Sequence, residues 1–294
     1  MTCIVAALAD ISADYDTLFC DIWGCLHDGE RAFPDAVAAL RGFRQRGGRV
    51  FLLTNAPRPR GQVAAQLAQL GAPDDCYDDV ITSGDSAQAA LVRGVVGRKV
   101  YHIGPERDLT FFTELADDLP PSDVELVPLD QAEGVACTGL VDDENEHPDD
   151  YRPQLLLAKT RGLKLLCANP DIVVDKGHTR LWCAGAIAQL YTEMGGQSLY
   201  FGKPHPPIYD LARRRLAAMD PGAEPRILCV GDGPATDLAG AIGEGLDVLF
   251  VTGGIVAEQT GTGSAAADQP DQAQLDAYLA DQKMTVTYAI GRLR

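Results

Sequence analysis

Apolar residues along this chain gather in short runs, each leading into a polar cluster and then a stretch with helical spacing. Thr17-Leu18-Phe19-Cys20 runs into Asp21, with Gly24 soon after. Val50-Phe51-Leu52-Leu53 runs into Thr54-Asn55, and Leu199-Tyr200-Phe201 into Gly202-Lys203-Pro204. Ile227-Leu228-Cys229-Val230 runs into Gly231-Asp232-Gly233 and on to Asp237. Unbroken apolar runs alternating with helical patterns predict an α/β fold with a parallel sheet buried on both faces. In such sheets ligands bind outside the carboxyl ends of the strands. The polar residues at these four exits are therefore expected to share one edge.

The same pattern predicts the remaining elements. Residues 34–46 form a helix, with Pro34 at its start and Val37, Leu40 and Phe43 on one face. Residues 60–70 form another, ended by Gly71. After Ser83 a second alternation begins, with helices over 85–93, 106–116, 148–161 and 182–194. Its strands fall at 98–103, 124–127, 134–138 and 163–167. The first alternation resumes with strands at 198–201, 226–230 and 246–250, and helices at 206–217, 234–243 and 271–281. This organisation predicts one domain from residues 1–84 and 197–294, with residues 85–196 as an inserted second domain. The acidic stretch 141–150 reads as a solvated loop leading into a helix. The Gly/Ser/Ala-rich stretch 261–270 reads as a flexible loop.

The residue types at the strand exits suggest one chemistry. Asp21, Asp232 and Asp237 offer hard oxygen ligands of the kind Mg²⁺ prefers. Thr54 and Lys203 offer a hydroxyl and a cation for phosphate oxygens. Asp21 also suits covalent catalysis, in which a carboxylate becomes an aspartyl-phosphate.

At these residues the chain resembles the haloacid dehalogenase-like (HAD) superfamily, over nearly its whole length. Asp21 matches the first motif of that superfamily, Thr54 the second, Lys203 the third, and Asp232 with Asp237 the fourth. Thr54-Asn55-Ala56-Pro57-Arg58-Pro59-Arg60 and Val80-Ile81-Thr82-Ser83 resemble its IIA branch, which is NagD-like and p-nitrophenylphosphatase-like. So do Asn169-Pro170-Asp171, Cys183-Ala184-Gly185-Ala186 and Gly202-Lys203-Pro204-His205-Pro206-Pro207. The resemblance implies a Rossmann-like core with an inserted α/β cap of the C2 type. It implies an Mg²⁺-dependent phosphatase for a small phosphorylated metabolite. Mg²⁺ would sit on Asp21, the Trp23 carbonyl, Asp232 and Asp237. Phosphate would contact Thr54, Asn55 and Lys203, and the rest of the substrate would meet His178, Trp182 and Cys183; Arg58, just after the second motif, is a further candidate for a phosphate or a partner subunit. A homodimer through the cap is a further expectation.

One residue departs from the pattern. Phosphatases of this superfamily usually carry a second Asp two residues after the nucleophile, as the proton donor and later the water activator. Trp23 stands there, and an indole neither gives nor takes a proton near neutral pH. Acid–base help is worth about 10²–10⁴ in rate. His27, in Gly24-Cys25-Leu26-His27-Asp28-Gly29, is a candidate substitute on a flap over the site. A substrate with a good leaving group is the other remedy. Trp23 also keeps two alternatives open: a phosphate-ligand sensor that lost turnover, and a metal-independent dehalogenase-type hydrolase. Asp232 and Asp237 argue against the latter, because carboxylates facing Asp21 repel one another without a cation.

Composition narrows the classes further. The chain has 294 residues, 46% of them hydrophobic, enough for about two domains. A net charge of -17 disfavours a nucleic-acid surface. No segment is long and apolar enough for a membrane span, and the N-terminus lacks the basic start of a signal peptide. The 8 cysteines show no paired or zinc-type spacing. They read as structural thiols of a cytoplasmic protein.

Overall fold

The structure is a computed structural model and describes residues 2–176, 179–263, 265 and 267–294. It packs as two compact units. One comprises Met1–Thr54, Ala64–Val80 and Ala212–Arg294, the other Asn55–Val63 and Ile81–Leu211.

The first unit opens with β1 (Cys3–Ile4), β2 (Thr17–Asp21), α1 (Pro34–Gln45) and β3 (Arg49–Thr54). The chain enters the second unit at Asn55, returns within α2 (Arg60–Gln69), and leaves the first unit again within β4 (Asp79–Thr82). The second unit continues with α3 (Ser83–Val92), β5 (Lys99–Ile103), α4 (Thr110–Thr113), β6 (Glu125–Leu126) and β7 (Gly134–Cys137). Next come α5 (Arg152–Thr160), β8 (Lys164–Cys167), the hairpin β9 (Val173–Lys176) and β10 (Thr179–Trp182), α6 (Ala184–Glu193) and β11 (Gln197–Tyr200). Helix α7 (Pro206–Met219) leads back to the first unit. That unit is completed by β12 (Ile227–Gly231), α8 (Ala239–Gly243), β13 (Asp247–Val251), α9 (Gln272–Asp281) and β14 (Tyr288–Ile290).

Seven strands form one sheet in the order β1-β14-β13-β12-β2-β3-β4, and the pairs from β1 through β3 run parallel. Strand β2 leads to β3 on one side, and β12 leads to β13 on the other. The order therefore reverses between β2 and β12, the switch point where an open parallel sheet forms its crevice. Every residue of β2 is buried, so the run reads as uniformly apolar until Asp21.

The second unit has a five-stranded parallel sheet in the order β11-β8-β7-β5-β6. Alternate residues of its strands serve two separate cores. Val135, Cys137, Leu165 and Cys167 pack with Leu155, Ile187 and Tyr191 on one face. Val100, Ala136 and Leu166 pack with Ala87, Leu91 and Phe111 on the other. Two buried faces explain why these strands lack polar alternation.

Several expectations are corrected. The Leu199-containing strand was expected in the sheet that ends in Asp21. It is β11, an edge of the five-stranded sheet. An apolar run with a Gly-Lys-Pro exit looks the same in either sheet, and only pairing decides. The helix expected over 182–194 begins at Ala184, because Trp182 pairs with Val173 in the β9–β10 hairpin. The helix expected over 106–116 shrinks to a 3₁₀ turn, Glu106–Leu109, followed by α4. Strands β1 and β14 were not expected, since two or three residues show no period. Among the described residues no helix is long and apolar enough to cross a membrane.

Candidate active site

Asp21 is the last residue of β2 and is buried. It pairs in register with Leu53, so Thr54 continues β3 one residue past it and stays half-buried. Asp232 directly follows β12, whose Val230 pairs with Cys20. The two acids thus leave adjacent strands at the switch point. Asp237 lies in a π-helical turn, Pro234–Leu238, and its Oδ2 accepts a 3.0 Å hydrogen bond from Gly233 N–H. Asp232 and Asp237 are both buried.

Glycine makes this crowding possible. A Cβ at Gly254 would lie 2.0 Å from Asp232 Oδ2, and one at Gly24 would lie 2.2 Å from the same oxygen. Gly24 also has a φ of +79°, which L side chains rarely adopt. Main chain therefore closes on the Asp232 carboxylate from two segments. Oxygens of Asp21 and Asp232 and the sulfur of Cys25 all lie within 4.8 Å of one another. The sequence marks Cys25 only as a structural thiol. Its place beside the two acids is set by a loop turn that carries no periodic signal.

That loop is tied down by its own hydrogen bonds. The amides of Leu26 and His27 both donate to Ile22 O, at 2.8 and 3.2 Å, and Gly24 N–H donates to His27 O at 2.9 Å. Phe33 N–H donates to Leu26 O, and Ala32 N–H to Leu70 O. The Trp23 indole covers Gly29, where a Cβ would fall 2.6 Å from the ring, and meets His27 edge-on at 5.2 Å. His27 is buried, and its Nδ1 accepts a 3.0 Å hydrogen bond from Gly29 N–H. Burial holds its pKa below the ordinary value. The ring is thus neutral at neutral pH, with Nδ1 occupied and Nε2 carrying its proton.

In the second unit Asn55 is a hub. Its Oδ1 accepts from Lys203 N–H at 2.7 Å, while its Nδ2 donates to Lys203 O at 3.0 Å and to Asp171 Oδ1 at 2.8 Å. Asn55 and Lys203 are both buried. The Asn55 amide thus ties the Lys203 main chain to Asp171. Gly202 permits this approach, since a Cβ there would lie 2.3 Å from Asn55 Oδ1 and 2.7 Å from Ser83 Oγ.

Arg58 belongs to a polar network that the sequence did not reveal. It is half-buried, and burial lowers its pKa against the opposing pull of Asp108. Asp108 is buried, which raises its pKa, and it hydrogen-bonds Thr138. Thr138 Oγ1 lies 2.9 Å from His102 Nε2, and burial pushes the His102 pKa down to about 4. Thr138 follows β7 and Gly104 follows β5, and the strand order of the second sheet reverses between these two strands. Trp182 ends β10 and meets His147 edge-on at 5.0 Å. His178 lies outside the described residues.

Comparison with known proteins agrees with this arrangement. A haloacid dehalogenase-like hydrolase family model matches residues 18–116, and a HAD-hydrolase-like model matches residues 200–279. The solved structure of a haloacid dehalogenase-like family hydrolase from Brucella suis 1330 is 41% identical. It covers 99% of this chain and 100% of its own, with a TM-score of 0.84. This chain belongs to the haloacid dehalogenase-like hydrolases. Within that family it is similar to the ribonucleotide monophosphatase NagD of Escherichia coli K12. The two are 26% identical over 242 residues, which is 81% of this chain and 88% of NagD. It is also similar to the solved structure of glycerol phosphate phosphatase from Mycobacterium tuberculosis in complex with calcium. That match has 25% identity, covers 83% of this chain and 68% of the other, and has a TM-score of 0.63. The NagD-like branch suggested by the Thr54-Asn55 loop of this HAD-like hydrolase is thus where its relatives fall.

Proposed function

We propose that this HAD-like hydrolase is an Mg²⁺-dependent phosphatase of a small phosphorylated metabolite, with Asp21 as the nucleophile. One observation carries the reading: Asp21 and Asp232 leave adjacent strands at the sheet's switch point and come within 4.8 Å, both buried. The relatives support it, being named a ribonucleotide monophosphatase and a glycerol phosphate phosphatase, the latter holding calcium.

The residues fit a divalent cation. Two carboxylates this close in a medium of effective dielectric about 20 repel by about 3.5 kcal/mol or more, and glycine main chain closes on Asp232 where a side chain has no room. Asp21, Asp232, Asp237 and the Trp23 carbonyl would hold the ion. When bound it supplies Lewis-acid stabilisation of charge on the phosphate oxygens.

The chain's own groups do the rest. Thr54 offers a hydroxyl and Lys203 a cation of the kinds that suit phosphate oxygens. Asp21 attacks phosphorus, its new O–P bond replacing the bond to the leaving oxygen. Water then attacks the aspartyl-phosphate, releasing inorganic phosphate and restoring Asp21. Arg58 and Trp182 are the candidates for contact with the remainder of the substrate. No proton comes from the Trp23 indole, which neither gives nor takes one near neutral pH. The chain is therefore suited to leaving groups that need little protonation, such as the carboxylate of an acyl phosphate.

The test is phosphate release across phosphate esters and acyl phosphates, with and without Mg²⁺, using Asp21→Asn as the blank. Metal-dependent release that vanishes in the variant supports the reading. No release above the blank from any substrate overturns it and leaves a phosphate-binding regulatory role.

A further inference from the structure

Cys25 is 1% exposed, and its sulfur faces the Asp21 and Asp232 carboxylates, all three ligand atoms lying within 4.8 Å of one another. Other buried thiols have partners. Cys20 donates to Asp21 O at 3.2 Å, Cys137 to Gly139 O at 3.7 Å, and Cys167 to Asn169 O at 3.2 Å. Cys25 makes no hydrogen bond among the described residues. The turn that draws Leu26 and His27 onto Ile22 O fixes the Cys25 main chain, so the sulfur is held where it is.

The donor set is chemically mixed. Two carboxylates suit hard cations, whereas a thiolate selects soft or borderline ones. Metal bonds of about 2.0–2.3 Å let one ion reach ligand atoms spaced like these after small shifts.

We propose that Cys25 makes this pocket a capture site for a soft divalent cation of the Cd²⁺ or Zn²⁺ class. Sulfur and the Asp21 and Asp232 carboxylates are the ligands. A metal–sulfur bond forms, the S–H bond breaks, and the proton leaves to solvent. The captured ion takes the Asp21 and Asp232 carboxylates that would hold Mg²⁺, so soft-metal binding displaces Mg²⁺ from the pocket. The inference rests on the reading that the Asp21–Asp232 pocket takes a cation.

The test uses the full chain with reduced thiols and Cd²⁺ as the probe, read by the ultraviolet sulfur-to-cadmium charge-transfer band and by thermal unfolding. Cys25→Ser is expected to lose the high-affinity band. Its Cd²⁺ affinity should fall by about tenfold or more, since losing even a residue that supports a ligand costs that much. Cys3→Ser, at the exposed thiol, is expected to keep the band. Mg²⁺ added to the parent protein is expected to suppress it. A band of full strength in folded Cys25→Ser overturns the inference, as does one lost equally in Cys3→Ser. Should Cys25→Ser fail to fold, Mg²⁺ competition and Asp232→Asn decide: a band indifferent to both overturns the inference. Mg²⁺ raising the unfolding temperature with no Cd²⁺ band overturns the inference alone. Neither ion raising it overturns the cation reading as well.

Discussion

Replacing Asn55 should unsettle Lys203 without touching its side chain. Asn55→Ala removes three hydrogen bonds, two of them to the Lys203 main chain and one to Asp171. At about 1 kcal/mol each, the loss is about 3 kcal/mol. With an m-value of about 3 kcal/mol/M for a chain of this size, the urea midpoint should fall by about 1 M. Phosphate release should lose about tenfold in kcat/KM, or about 1.4 kcal/mol, as the lysine is less well held. Asn55→Asp is the sharper probe. It keeps the acceptor for Lys203 N–H but loses both donors, and it sets a second carboxylate against Asp171 Oδ1, 2.8 Å away in the parent. Adding Asp171→Asn reverses that contact, because the new amide at position 171 donates to the new carboxylate at position 55. The double variant should therefore be more stable than Asn55→Asp alone, with a coupling of at least about 1 kcal/mol. Urea unfolding followed by circular dichroism reads the stability, and phosphate release reads the function. A midpoint within about 0.2 M of the parent and an unchanged KM for Asn55→Ala would refute the reasoning. So would a double variant no more stable than Asn55→Asp.

Further outcomes follow from the same geometry. Gly254→Ala places a Cβ 2.0 Å from Asp232 Oδ2, so the stabilisation given by Mg²⁺ in thermal unfolding should weaken, and an unchanged Mg²⁺ titration would sink that account. His102 has its folded pKa pushed from 6.5 to about 4, so below 6.5 the unfolded chain binds the proton more readily. Stability therefore falls by about 3 kcal/mol as pH drops from 6.5 to 4, and the ring adds no pH dependence above 6.5. His102→Gln should flatten that part of the stability profile, and an unaltered slope refutes the assignment. Trp23→Asp should raise turnover of a poor-leaving-group ester by about 10²-fold while leaving acyl phosphates nearly unchanged, and equal effects on both would remove the indole from the explanation.

What the sequence determined by itself is the α/β class, the position of each long strand and the ends of helices such as α1 and α9. Continuous apolar runs and a Pro at a helix start are local signals, and local physics reads them. It also determined that Asp21, Thr54, Asp232 and Asp237 close their strands or open the next turn. The tertiary structure alone decided which sheet a strand joins, since β11 carries the same apolar pattern as β12 yet pairs with β8. It decided that Asn55 holds a main chain 148 residues away, and that His27 is buried, with Gly29 N–H on its Nδ1 and the Trp23 indole edge-on. It also decided that Cys25 faces two carboxylates, while His102, Thr138 and Asp108 join Arg58. Such contacts depend on pairing order, on glycine-permitted approaches and on turn geometry. None of these leaves a period in the sequence, because each is set by residues far apart along the chain.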